Sequence, residues 1–255
     1  MSGSFDLNGK AALITGGNSG IGLAMAEALA EAGASVAIWG SNPNKTGAAA
    51  EKLKVHGGQV LAQICDVTDE AASEDAFATA VAEFGGIDAC FANAGVSGRG
   101  GPFIEMTTEE WHRVLSVNLD GAFYTLRAAA RHMVERGEGG SLVGTASLAA
   151  IHGQARGQHY GASKGAMISM IRALAVELGR YKIRANAILP GWIKTAMTRD
   201  WMAQEVVQDR VLKRVPTRRW GQPEDFSAIA VYLTADASQY HTGDTFLIDG
   251  AYSLF

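Results

Sequence analysis

Tyr160 and Lys164 stand four residues apart in a stretch that reads as helix. That spacing puts both side chains on one face, one turn apart. A phenol ordinarily loses its proton near pH 10, too high to exchange it freely at neutral pH. A neighbouring ammonium stabilises the phenolate and lowers that value. A drop of about 3 units corresponds to about 4 kcal/mol, which asks much of one lysine and calls for a second positive charge. Taken alone, the pair is an ordinary exposed helix surface. Ser147 changes the weighing. It lies 13 positions before Tyr160, just past an apolar run, where its hydroxyl can bond a substrate oxygen and orient it beside the phenol. Asn118, in Val117-Asn118-Leu119-Asp120-Gly121, offers an amide that can hold a water between Lys164 and solvent. The chemistry this set could perform is proton exchange at an oxygen of a small molecule.

The elements that must position these groups alternate. Short apolar runs at 10–15, 35–39, 59–64, 87–92, 141–145, 183–189 and 245–248 read as strands. Segments 21–32, 43–56, 69–84, 107–136 (one or two helices), 155–179 and 223–233 read as helices. Alternation with short joints predicts an α/β fold: one doubly wound, Rossmann-like parallel sheet with helices on both faces and right-handed crossovers. No Pro- or Ser-rich linker divides the chain, so residues 1–255 read as one domain. The least regular segment, 192–220, is the candidate substrate lid.

Thr15-Gly16-Gly17-Asn18-Ser19-Gly20-Ile21-Gly22 follows the first strand and opens the first helix. A pyrophosphate needs backbone N–H groups with no side chain in the way and gains from the positive end of a helix. Gly16, Asn18, Ser19, Gly20 and Ile21 are the expected contacts. The spacing is GxxxGxG rather than GxGxxG, and a tight turn without ligand is the alternative. The oxidised nicotinamide ring would then be the second positive charge beside Tyr160. At the end of the second strand an acid favours a free ribose 2′-hydroxyl and a basic group a 2′-phosphate. Trp39-Gly40-Ser41-Asn42 contains neither. Ser41 and Asn42, with Lys45, could hold a 2′-phosphate, so the reading leans to NADP over NAD. Ser41, Asn42 and Pro43 could equally cap the helix. Asp66-Val67 ends the third strand, where the carboxylate could accept from an adenine amino group or form a helix-entry turn. Asn93-Ala94-Gly95 ends the fourth. All these signals lie at C-terminal strand ends, where open α/β sheets bind ligands.

In order and spacing, Thr15-Gly16, Gly20-Ile21-Gly22, Asn93-Ala94-Gly95, Asn118, Ser147, Tyr160, Lys164 and Pro190-Gly191 together resemble the short-chain dehydrogenases/reductases, of the roughly 250-residue 3-oxoacyl reductase and sugar or alcohol dehydrogenase type. The resemblance covers nearly the whole chain. It implies hydride transfer between NAD(P) and a carbonyl/alcohol pair, with Tyr160 as general acid/base and Ser147 polarising the substrate oxygen. Tyr160 and Lys164 would also contact the cofactor, Lys164 at the nicotinamide ribose, and Asn118 would complete a proton relay. The backbone of Ile193 and the hydroxyl of Thr195 would clamp the carboxamide, and Asn93 would tie the sheet together beside the cofactor. It also favours a homotetramer. Two departures are Ala146, where a second Ser is frequent, and Ala251, where a second Gly often follows Asp249-Gly250.

Composition sets outer limits. A net charge of −4 argues against nucleic acid or an anionic membrane as partner. No apolar stretch approaches a membrane span and no secretory leader is visible. Cys65 and Cys90 form no CxxC pair, so a cytoplasmic, reduced chain is expected. The six histidines show neither HxH nor HxxxH spacing, so no metal is expected. His152 and His159 flank the expected pocket, where substrate contact and a surface role are open alternatives. Gly161-Ala162-Ser163-Lys164-Gly165 matches GxSxG, but it lies within a helix rather than on a strand-to-helix elbow. Rival functions are a non-catalytic dinucleotide-binding sensor, for which Tyr160 would be superfluous, and a dehydratase or epimerase using nicotinamide transiently. The uncharged tail 251–255 is expected to be buried, against another subunit if the chain is an oligomer.

Overall fold

β1 (Ala11–Thr15) is buried at all five positions. Ala11 and Leu13 point into one apolar layer, Ala12 and Ile14 into the other, the alternation a strand imposes. A strand buried on both faces belongs inside a sheet covered on both sides. The computed structural model, which describes residues 5–254, shows that sheet. β2 (Ser35–Gly40), β3 (Val60–Ile64), β4 (Ala89–Ala92), β5 (Gly140–Thr145), β6 (Ile183–Pro190) and β7 (Thr245–Ile248) complete it in the order 3-2-1-4-5-6-7, every described pair parallel. The order reverses between β1 and β4, and the crevice at their C-terminal ends is the natural ligand position.

The helices start where side chains satisfy their free N–H groups. α1 (Gly20–Glu31) rises from the glycine turn. α2 (Pro43–Lys54) is capped by Asn42, whose Oδ1 accepts from Lys45 N at 3.0 Å, with Pro43 in the first turn. Asp69 caps α3 (Glu70–Phe84) and Thr107 caps α4 (Thr108–Leu115). The region 107–136 is two helices joined by a π turn at Ser116–Asp120, followed by α5 (Gly121–Arg136). α6 (Gln158–Leu178) begins three residues later than its composition suggests, because 152–156 form an exposed loop. Within 192–220 two short helices appear, α7 (Arg199–Met202) and α8 (Glu205–Val211). The 223–233 segment opens as a 3₁₀ turn, Pro223–Phe226, before α9 (Ser227–Thr234).

α3, α5 and α6 cover one face of the sheet around Trp39, Leu142 and Ile171, and α1, α2 and α9 the other around Ile38, Phe91 and Phe226. No helix among the described residues is long and apolar enough to cross a membrane. In the described part of the tail Tyr252 and Ser253 are half-buried and Leu254 is 84% exposed on this single chain, and Phe255 lies outside the described residues.

Candidate active site

A cleft of about 480 Å³ lies across the C-terminal ends of β1, β2, β3, β4, β5 and β6, within the range of small-molecule and cofactor pockets. The glycine turn forms one end. Gly16 holds a positive φ of 65°, which a glycine adopts without steric cost. At Gly22 a Cβ would stand 2.3 Å from the Gly16 carbonyl oxygen, so only hydrogen fits. Asn18, Ser19, Gly20 and Ile21 line the same wall, and Ser41, Asp66 and Val67 lie beyond it. These residues fit a dinucleotide: bare backbone at a helix start, kept open by contacts that exclude side chains.

Two of the expected contacts have side chains engaged within the protein. Asn42 does not line the cleft; its side chain is the cap of α2, the alternative open at sequence level. Asn18 lines the cleft, but its Nδ2 donates to Thr46 Oγ1 at 3.0 Å, across Gly40. A Cβ at Gly40 would meet that nitrogen at 2.0 Å. A side chain at position 40 would have to displace Asn18 and Thr46, and Ser41 is the first position without that conflict. Asp66 divides its duties: Oδ1 accepts from the N–H and hydroxyl of Thr68, the helix-entry turn, while the residue also lines the cleft.

Asn93 sits at the centre. Its Nδ2 donates to the Thr15 carbonyl at 3.0 Å and its Oδ1 accepts from Thr145 Oγ1 at 3.2 Å. It thus joins the ends of β1 and β5 across β4. Ala94 and Gly95 line the floor, and Pro190, Gly191, Ile193 and Thr195 the opposite wall. The Ile193 carbonyl is taken by Thr198 Oγ1 at 2.6 Å.

Ser147, Tyr160 and Lys164 open on the same cleft. Ser147 leaves β5 and begins a 3₁₀ turn, while Tyr160 and Lys164 come from the first turns of α6. Lys164 is 3% exposed, its Nζ donating to the Thr145 carbonyl at 2.7 Å and lying 5.8 Å from the Tyr160 ring centre. Burial pulls its ammonium down to about 8. The expected lowering of the phenol by Lys164 is not what the protein alone produces. Burial pushes Tyr160 above its ordinary value, and the Ser147 hydroxyl opposes that rise. At 5.8 Å, with its ammonium turned to Thr145, Lys164 does not outweigh the loss of water.

Asn118 is fully buried and behind the cleft wall. Its Oδ1 accepts from Val96 N at 2.8 Å, and Nδ2 donates to Val96 O at 3.0 Å and to Ser163 Oγ at 3.2 Å. Both amide hydrogens are therefore committed to protein, leaving one lone pair for the expected water. Ser163, the serine of the GxSxG pattern, donates to the Tyr160 carbonyl at 2.7 Å, so it links Asn118 to the first turns of α6. Neither this link nor the Thr145 anchor of Lys164 leaves a sequence motif. His159 is neither a surface residue nor exposed to the cleft: it is 1% exposed and paired with Glu110.

A family model described as enoyl-(acyl carrier protein) reductase matches residues 16–253. The chain is similar to L-rhamnose 1-dehydrogenase (NAD(P)(+)) of Azotobacter vinelandii, 36% identical over 248 residues that cover 94% of this chain and 95% of that protein. Among solved structures it is similar to a short-chain type dehydrogenase/reductase from Mycobacterium marinum, with TM-score 0.93 and 36% identity over 98% of each chain. A gluconate 5-dehydrogenase from Burkholderia cenocepacia in complex with NADP and tartrate matches with TM-score 0.94 and 33% identity, covering 100% of this chain and 99% of that one.

Proposed function

We infer how the cleft works from a settled premise: the chain belongs to the short-chain dehydrogenase/reductase family and is an NAD(P)-dependent oxidoreductase acting on carbonyl and alcohol groups. The observation that carries the rest is that Ser147, Tyr160 and Lys164 open on one cleft with the glycine turn. The substrate oxygen is held by the Ser147 hydroxyl beside the Tyr160 phenol. Tyr160 gives that oxygen its proton in reduction and takes it in oxidation. A nicotinamide held in this cleft would supply or accept the hydride and, when oxidised, would add the positive charge that favours the phenolate. Lys164 binds the nicotinamide ribose. Asn118 holds Val96 and Ser163 in place and keeps one lone pair for a relay water. Gly16, Ser19, Gly20 and Ile21 hold the pyrophosphate, with Asp66 and Val67 at the adenine. Ala94 and Gly95 form the floor, and Pro190, Gly191, Ile193 and Thr195 enclose the carboxamide.

NADP is the proposed nucleotide. An acid at position 40 would have to displace Asn18 and Thr46, and Ser41 on the cleft wall with the exposed Lys45 four residues on supports a 2′-phosphate contact. The substrate is a polyhydroxylated small molecule of the sugar or sugar-acid class, as the L-rhamnose and gluconate enzymes it resembles suggest. The 192–220 lid carries seven basic and three acidic side chains in a chain of net charge −4, which favours the acid. The exposed apolar Val176 and Leu254 suit subunit contacts, in keeping with a tetramer, and two buried free cysteines suit a reducing cytoplasm. The test is a turnover panel of aldoses, polyols, aldonates and keto-aldonates with NADP(H) and NAD(H). Turnover of a keto-aldonate or aldonate with NADP(H) supports the reading; turnover of apolar ketones alone overturns the substrate class.

A further inference from the structure

His159 stands one residue before Tyr160 in the first turn of α6, yet its ring is buried. Nε2 lies 3.2 Å from Oε1 of Glu110 on α4. Arg113 grips that carboxylate with two bonds, Nε to Oε2 at 2.7 Å and Nη2 to Oε1 at 2.9 Å, and holds it well below the usual carboxylate range. An ionised carboxylate only accepts, so Nε2 of His159 carries the hydrogen and donates it.

The cluster also grips the chain that leaves β4. Oε1 of Glu110 accepts from the Arg99 N–H at 2.8 Å, and Arg113 Nη2 donates to the Ser97 carbonyl at 2.9 Å. Gly98, between them, lies against the His159 ring: a Cβ there would stand 2.1 Å from Cε1. Val96 just before is held through its N–H and C=O by Asn118, and it lines the cleft with Ser147 and Tyr160. Residues 96–99 are therefore pinned one after another, three of them by a single cluster. Nδ1 of His159 is buried without a hydrogen-bond partner. An apolar side chain would fill the position without that cost, so stability alone does not account for a histidine here.

We propose that His159 is a positioning residue: through Glu110 and Gly98 it fixes residues 96–99 as the wall that holds the carbonyl substrate beside Tyr160. The inference rests on the oxidoreductase reading, and two measurements separate its failure from a failure of that reading. Amide hydrogen exchange needs no substrate. His159→Ala should speed exchange of the peptide spanning 96–99 about tenfold or more, with the 16–22 turn unchanged. Kinetics use a carbonyl compound that the unaltered enzyme reduces. His159→Ala should raise its KM about tenfold, with kcat within about threefold and the nucleotide KM unchanged. His159→Gln, whose amide N–H can take the place of Nε2, should recover most of the loss. Gly98→Ala, forced against the ring, should reproduce the KM rise, and the two changes combined should not multiply. If His159→Ala fails to fold, His159→Gln and Gly98→Ala carry both measurements. Unchanged exchange at 96–99, a loss confined to kcat, or multiplying effects would overturn the proposal.

Discussion

The two sides of the cleft are built from different materials. The proposed nucleotide side is largely backbone, with Gly16 at positive φ and Gly22 against the Gly16 carbonyl, braced by the side chains of Asn93 and Thr145 across three strand ends. The proposed substrate side is loops and side chains: Val96, Ser147 and residues 195–198 line the cleft there, and Met197 among them is exposed. A pyrophosphate and a ribose are the same in every turnover, so the first side is best made rigid. The second side faces whatever molecule is reduced and can change without disturbing the sheet.

That contrast breaks most sharply at Tyr160, where the sides meet. Tyr160→Phe removes the proton donor but no nucleotide contact through the glycine turn. Turnover should fall by about 10³-fold, within the range for general acid–base catalysis, while NADP(H) affinity by fluorescence titration stays within about twofold. Retained turnover would reject the role given to the phenol. Gly22→Ala tests the opposite side. Its new Cβ would meet the Gly16 carbonyl oxygen at 2.3 Å, so the turn must open. The expected cost is about 1–3 kcal/mol of stability by urea denaturation, together with loss of stabilisation by added NADP.

Lys164 belongs to both sides, and its burial has a thermodynamic signature. Its ammonium is pulled from 10.5 down to about 8. Between those values the unfolded chain binds more protons than the folded one, so stability rises with pH through this window. The gain from this residue is up to about 3 kcal/mol. Tyr160 acts in the other direction only above pH 10, since its folded value is raised. Lys164→Met should flatten the rise between pH 8 and 10 and leave the neutral-pH protein at least as stable, although inactive. Chemical denaturation at several pH values reads this directly, and an unchanged slope would contradict the burial argument.

The nucleotide side was legible because a backbone constraint leaves a glycine in the sequence: Gly16, Gly20 and Gly22 mark it without any tertiary knowledge. Tyr160 and Lys164 were legible because four residues is a helical turn. What stayed hidden was pairing across distance. Glu110 and His159 are 49 positions apart and meet only because α4 packs on α6. The anchor of Lys164 is a main-chain carbonyl, which no residue type announces. Asn42 could cap or bind with the same atoms, and only the structure shows Oδ1 on Lys45 N. A spacing reports a neighbour but not the loss of water around it, so the rise that burial imposes on Tyr160 in the chain without nucleotide leaves no mark in the sequence.

The smallest expected effect concerns the choice of nucleotide, at the outer end of the backbone-built side. An acid that accepts from a free 2′-hydroxyl normally stands at the end of the second strand. An acid at Gly40 would have to break the Asn18–Thr46 hydrogen bond, because a Cβ there lies 2.0 Å from Asn18 Nδ2. Ser41, one residue on and exposed, is where a carboxylate can be added without moving the turn. Ser41→Asp should repel a 2′-phosphate near Lys45 and shift the kcat/KM ratio toward NAD by about tenfold, or about 1.4 kcal/mol. The effect is modest because an exposed charge is screened by water and salt, and raising the salt concentration should shrink it. Gly40→Asp should behave differently: by displacing Asn18 it disturbs the turn itself and weakens both nucleotides together. If Ser41→Asp leaves the ratio unmoved while Gly40→Asp changes it selectively, the Asn18–Thr46 hydrogen bond does not control this end of the cleft and the NADP proposal is overturned.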